Sequence, residues 1–289
     1  MGIFNNQSGV RTVSRFKVDF MIIGAQKSGT TSLADMLKSH SDLVCCRQKE
    51  PQFFSGTQDW RKELSTYEDM FPRQVGAKYF EASTGYTMYP RFNYEIWEDL
   101  YEYNSKLKFL YIVRAPLQRV ISHYVHSYER GYTDDGIESA IFQLATFVNN
   151  TRYHFQISPF IERFGKDQVK ICFLEDLKSD PLKVRSEIAN FLEIDGGRFP
   201  DEVPKSNVAG EIRRLHKKWD NPSFLMKCFR KAVPPAYKWL TGNSGRQFRS
   251  KPVLSVGGQK AYLKLLEDDL QRFELLCSRD LSHWRKITR

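Results

Sequence analysis

The chain has 289 residues, of which 41% are hydrophobic and 14% aromatic. That supply of apolar side chains excludes a mostly disordered chain and suits one large α/β domain or two small ones. The formal charge is +10, and it is concentrated: Lys205 to Lys251 carries twelve Lys and Arg against Glu211 and Asp220. Such a run fits an anionic partner or a solvated helical face.

No apolar run reaches the roughly 18 residues of a membrane-spanning helix, so no integral membrane contact is expected. The N-terminal MGIFNNQSGVRTVSRF lacks the apolar core of a secretory signal, and Asn6 breaks the myristoylation pattern that Met1-Gly2 begins. Cys45, Cys46, Cys172, Cys228 and Cys277 are odd in number and match no metal spacing. Cys172 and Cys277 stand in apolar stretches and read as reduced core residues, which points to a cytoplasmic chain.

The elements follow in order. Val18–Ile23 (VDFMII) reads as a buried strand ending at a glycine, and Ser32–Ser39 has helical spacing. Val75–Phe80, Leu107–Val113 and Val169–Leu174 are further buried strands. Pro181–Ile194 is an amphipathic helix stopped by Gly196-Gly197, and Gln259–Cys277 is a long C-terminal helix. Asn221–Arg249 is the least regular stretch. Strands alternating with helices predict a three-layer α/β/α fold around a central, mostly parallel sheet. Residues 1–17 read as an N-terminal extension. Residues 18–289 read as a single domain, with 205–251 a basic cap on the substrate side.

The loop after the first strand is Gly24-Ala25-Gln26-Lys27-Ser28-Gly29-Thr30-Thr31. A glycine-bearing turn brings backbone N–H groups close to phosphate oxygens, and a helix N-terminus adds unpaired donors and a favourable dipole. Thr30 and Thr31 offer hydroxyls and Lys27 a positive charge. An ATP-binding P-loop places Lys directly after its last glycine. Here Lys27 precedes Gly29 and Thr30 follows it, which counts against ordinary magnesium-dependent nucleotide triphosphatase chemistry.

FMIIGAQKSGTTSL resembles the 5′-phosphosulfate loop of sulfotransferases that use 3′-phosphoadenosine 5′-phosphosulfate (PAPS), especially the heparan-sulfate and bacterial carbohydrate or natural-product branch. The resemblance implies a P-loop-like fold with PAPS as co-substrate, its desulfated form PAP as product, and no metal. It implies that Lys27 bridges the 5′-phosphate and the transferring sulfuryl group, and that Ser28, Gly29, Thr30 and Thr31 hold the 5′-phosphate. In FLYIVRAPLQRVISHYVH, Arg114 and Ser122 match the family's pair for the 3′-phosphate, where an Arg fork suits a phosphate. Arg119 reads as a helix-surface charge. Lys49-Glu50-Pro51-Gln52-Phe53-Phe54 is similar to the E-x-x-F-F segment that carries the catalytic base, which makes Glu50 the candidate to take the acceptor proton. His126 corresponds to a histidine of the N-sulfotransferase branch and reads either as a proton-transfer group or as an ordinary half-buried histidine.

One segment departs from the pattern. Tyr79-Phe80-Glu81-Ala82-Ser83-Thr84 aligns where the family often has Glu-Lys-Ser or Glu-Lys-Thr, and Ala82 removes a positive charge. Glu81 remains and is expected to face the site. Pro204–Gly210 occupies the place of a late loop that closes over PAPS, and Lys205 and Asn207 carry over as nucleotide contacts. Arg213 and Arg214 lie just beyond. Arg279–Trp284 is similar to the family's usual ending. The expected acceptor is a small molecule or a carbohydrate, with no nucleic acid. Two rival readings stay open: a P-loop nucleotide kinase, and a non-enzymatic binder of nucleic acid or anionic membrane through the basic segment.

Overall fold

The computed structural model describes residues 16–57, 59–200, 248 and 250–287. Lys205, Asn207, Arg213, Arg214, Cys228, most of the basic segment and all but the end of the N-terminal extension lie outside the described residues.

Five parallel strands form the sheet: β1 (Phe20–Gly24), β2 (Leu43–Cys45), β3 (Lys78–Ala82), β4 (Lys108–Val113) and β5 (Val169–Phe173). Their order is β2-β3-β1-β4-β5, so β1 is central, paired with β3 on one side and β4 on the other. Successive residues of a strand face opposite sides of its sheet. Phe20, Ile22, Leu110 and Ile112 accordingly join one apolar cluster, while Met21, Ile23, Phe109 and Tyr111 join another. Both faces are therefore covered. On the first lie α1 (Thr30–Lys38), α9 (Leu174–Ser179) and α10 (Pro181–Leu192). On the second lie α2 (Phe53–Gly56), α3 (Leu64–Asp69), α4 (Ile96–Tyr103), α5 (Pro116–Glu129), α6 (Ile137–Gln143), α7 (Ala145–Asn149), α8 (Tyr153–Phe164) and α11 (Val256–Cys277). This is the expected three-layer α/β/α architecture, and the sheet is parallel throughout.

Some boundaries move. The strand expected at Val75–Phe80 begins at Lys78, because Gly76 has φ 74° and turns the chain while Val75 is fully exposed. The helix expected to stop at Gly196-Gly197 ends at Leu192, with Glu193 in the left-handed conformation. Ser255 caps α11 through its hydroxyl, which accepts from the Gly258 N–H, so that helix starts at Val256. β2 was not expected; its three residues are too few to carry a period. Arg119 is fully buried, not on a helix surface. It donates to Thr151 Oγ1 (2.8 Å) and to the Phe147 carbonyl (2.7 Å), tying α5 to α7 and to the turn before α8. Cys172 is buried as expected, but Cys277 is only half-buried.

The chain's end is built into the core. Trp284 is buried against Phe273 and Tyr153, and Arg279 donates to Asp176 in α9 at 2.7 Å.

The pair Phe20 and Phe80 sits in register between β1 and β3, with stacked rings 4.8 Å apart. Phe80→Ala should lower unfolding free energy by about 3–5 kcal/mol, whereas Val75→Ala should stay within about 0.5 kcal/mol. Chemical denaturation of the two variants checks this contrast.

Candidate active site

In a parallel sheet every strand points the same way, and ligands of open α/β sheets bind outside the carboxyl ends. Gly24, Cys45, Ala82, Val113 and Phe173 end the five strands on one edge. The segments that leave this edge carry the candidate residues: Lys27 after β1, Glu50 after β2, Ser83 and Thr84 after β3, and Arg114 after β4.

The first loop is shaped by close packing. A Cβ at Gly24 would lie 2.0 Å from Thr87 Oγ1 and 3.0 Å from the Tyr111 ring. Thr87 Oγ1 instead donates to the Ile23 carbonyl at 2.6 Å. Gly29, with φ 97°, is the N-cap of α1, and a Cβ there would meet Leu174 Cδ1 at 2.6 Å. No side chain caps this helix. The N–H groups of its first turn thus lack a side-chain partner, the arrangement that suits an anion. Lys27 adopts φ 65°. Ser28 is fully buried and its N–H donates to the Ala25 carbonyl, so it is the least accessible member of the loop.

Arg114 reaches across to this loop. Its Nη1 donates to the Lys27 carbonyl (3.2 Å), its Nη2 donates to Gln118 (2.9 Å), and its buried Nε has no partner. A buried guanidinium N–H left unpaired is costly, and a bound phosphate supplies the missing acceptor. The unpartnered N–H beside a glycine-shaped loop and an uncapped helix fits a nucleotide carrying phosphate groups. Burial lowers the Arg114 pKa from its usual range. Ser122 is half-buried two turns along α5. Lys251, which sequence reasoning did not single out, lies close enough to Arg114 and Lys178 for their charges to lower its own pKa, behind burial as the main cause. Only its place in the basic segment marked it.

Glu50 is near enough to Lys27 for its charge to act on the ammonium group. Its Oε2 accepts from Thr84 Oγ1 (3.0 Å) and from Gln52 Nε2 (3.2 Å). Both Glu50 (φ 50°) and Gln52 (φ 56°) are left-handed, a conformation that costs a non-glycine residue roughly 1–2 kcal/mol. The surrounding bonds hold this strain in place. A cavity of about 140 Å³ opens beside Glu50, lined in part by Thr31, Lys38, Arg47, Lys49 and Ala82. Ala82, at the end of β3, thus borders the cavity where the family lysine is missing.

Lys27, Glu50 and His126 come together. Burial lowers the Lys27 ammonium pKa and Lys49 adds to that effect, while Glu129 and Glu50 oppose it. Burial likewise pushes the His126 imidazole down to about 4, helped by the charges of Lys27, Arg130 and Lys49. His126 is therefore neutral near pH 7. Glu81 does not face the site: it is fully buried beneath it.

The sheet order, with a glycine loop and an uncapped helix after its central strand, makes this an α/β protein with a parallel sheet. The sulfotransferase domain family model matches residues 17–219. The chain belongs to the sulfotransferase domain family. Human heparan sulfate glucosamine 3-O-sulfotransferase 5 is 34% identical over 190 residues, covering 60% of this chain and 53% of that protein. A bifunctional heparan sulfate N-deacetylase/N-sulfotransferase 1 of Caenorhabditis briggsae is 26% identical over 220 residues, covering 68% of this chain and 25% of that protein. The chain spans about half the length, or less, of these curated relatives. Among solved structures, a sulfotransferase from Alicyclobacillus acidocaldarius superposes with TM-score 0.67 at 21% identity, over 94% of this chain and all of that one. A mouse sulfotransferase complexed with PAP gives TM-score 0.52 at 15% identity, over 90% and 86% of the two chains. These two likenesses concern the fold.

The low His126 pKa has a direct test. An NMR titration should show His126 protonating only as pH falls toward about 4, well below the ~6.5 of a free imidazole. In Lys27→Met the midpoint should rise, because a neighbouring positive charge is gone. A His126 midpoint near 6.5 in the wild type contradicts this account.

Proposed function

We propose that this protein transfers the sulfuryl group of PAPS to a hydroxyl or amine of a carbohydrate or small-molecule (natural-product) acceptor, with Glu50 as general base. The observation that carries the proposal is the convergence at one sheet edge of an uncapped glycine loop bearing Lys27, an Arg114 N–H without a partner, and Glu50 beside an open cavity. Family membership supports the reaction class. Bound PAPS would supply an activated sulfuryl group with a phosphate as leaving group.

This chain's residues then have separate tasks. The first-turn N–H groups of α1, with Ser28, Gly29, Thr30 and Thr31, hold the 5′-phosphate. Arg114 and Ser122 hold the 3′-phosphate. Lys205 and Asn207 complete the nucleotide site in this reading, on the strength of the sequence pattern alone. Lys27 places a cation where negative charge builds on the leaving oxygen, an electrostatic effect strengthened by its burial. Glu50 takes the acceptor proton. Neutral His126 is a second proton acceptor beside Lys27. Ala82 leaves the cavity wall uncharged at the family lysine's place, which favours an acceptor bound differently from heparan sulfate. The cytoplasmic setting rests on Cys45, Cys46, Cys172 and Cys277 being free thiols. No described helix is long and apolar enough to cross a membrane.

Labelled sulfur in PAPS should transfer to at least one member of a panel of glycans, alcohols and amines. Lys27→Ala and Glu50→Ala should each reduce turnover on the order of a hundredfold to ten-thousandfold. Glu50→Ala should bind PAP as the wild type does. Arg114→Ala should weaken PAP on the order of tenfold to a hundredfold, the worth of a charge-assisted hydrogen bond, and abolish preference for PAP over ADP in calorimetry. Tighter binding of ADP than PAP by the wild type would favour a kinase and defeat the proposal.

A further inference from the structure

Beneath Glu50 lies a carboxylate that the proposed chemistry does not use. Glu81 is fully buried on β3. Its Oε1 accepts from the hydroxyls of both Tyr67 and Tyr86, each at 2.7 Å, and its Oε2 accepts from Ser83 Oγ at 2.5 Å. Aromatic rings close the space around these tyrosines: Phe53 stacks on Tyr67 at 4.4 Å, and Phe54 meets Tyr67 and Tyr86 edge-on. In so apolar a setting an unpaired carboxylate is very costly, and the three donors are what make it tolerable.

The direction of each bond follows from the chemistry. Ser83 has one hydroxyl proton, and it is committed to Glu81. Its oxygen is therefore left as an acceptor, and the Gln52 N–H donates to it at 3.0 Å. Gln52 is one of the two left-handed residues of the segment, and its side-chain Nε2 donates to Glu50 Oε2. The residue after Ser83, Thr84, donates to that same oxygen. A continuous chain thus runs from the buried Glu81 through Ser83 and the Gln52 backbone to the carboxylate at the cavity.

We infer that Glu81 is a positioning residue for Glu50: it polarises Ser83 as an acceptor, pins the Gln52 amide, and so fixes the left-handed turn that aims Glu50 into the cavity. The inference rests on the reading of Glu50 as the base. Glutamine at position 81 keeps the shape but turns one acceptor oxygen into an NH₂ donor. That NH₂ faces either the two tyrosine hydroxyls or the Ser83 hydroxyl, so at least one of the three donors loses its acceptor.

The test uses Glu81→Gln, Ser83→Ala and their double variant in the full chain. Turnover is measured with PAPS and the best acceptor of the panel, or with water if none is used; PAP affinity comes from calorimetry, and hydrogen exchange reports the Gln52 amide. Each single variant should lose turnover on the order of a hundredfold, the cost of misplacing a reacting group by about 1 Å. PAP affinity should stay within twofold of wild type, roughly the spread of independent sites. The Gln52 amide should exchange faster in both. The double variant should be no slower than the worse single one, since both break the same chain. Wild-type turnover in Ser83→Ala, a parallel loss of PAP affinity, or additive losses in the double variant each overturn the inference. Should Glu81→Gln not fold, Ser83→Ala still tests the chain at its link to the Gln52 amide, and wild-type turnover or a parallel loss of PAP affinity in it overturns the inference. If Glu50→Ala itself keeps its turnover, the assignment of the base has failed; if only the Glu81 and Ser83 variants do, the positioning role has failed and the base stands.

Discussion

The site depends on one constraint: five strands run parallel, so five chain exits open on a single edge. β1 is at the centre of that arrangement, and its end is closely packed. Thr87 fills the space a Cβ would need at Gly24 and ties the segment after β3 to the end of β1. Arg114, leaving β4, binds the carbonyl of Lys27. The loop after β1 is thus clamped by the segments that leave both neighbouring strands. Preorganised donors need no rearrangement at the moment of reaction, which is where much electrostatic catalysis originates.

The two sides of the site use opposite electrostatics. On the side of Arg114, cations and the first-turn N–H groups of α1 gather. On the side of Glu50, a carboxylate is surrounded by hydroxyl and amide donors and backed by a second, buried carboxylate. Burial and Lys49 lower the Lys27 pKa, while Glu129 and Glu50 oppose them. Charge separation of this kind suits a reaction in which a proton leaves on one side while negative charge departs on the other.

Much of this was legible in the sequence. The strand, glycine loop and helix at residues 18–39 carry local signals, and the place of Lys27 before Gly29 separated the loop from ATP chemistry. β4 and α5 followed from a plain apolar run ending in Arg114. What escaped notice is long-range. Arg119 reads as a surface charge because its partners, Thr151 and Phe147, are about thirty residues away. Nothing near Glu81 in the sequence shows that Tyr67 and Tyr86 converge on it. β2 is too short for any pattern, yet it sets where Glu50 emerges. The reading of Val75 as strand failed because Gly76 turns the chain, and an apolar residue before a glycine turn is left in solvent.

Gly85 has a bearing on how this segment can change over time. A Cβ at that position would fall 1.7 Å from the side-chain oxygen of Gln52. That amide cannot swing aside freely: its oxygen accepts from Ser55 and its nitrogen donates to Glu50. Positions 52 and 85, thirty-three residues apart, are therefore coupled by packing. A larger residue at 85 is compatible only with a smaller one at 52, and that exchange removes a donor from the carboxylate.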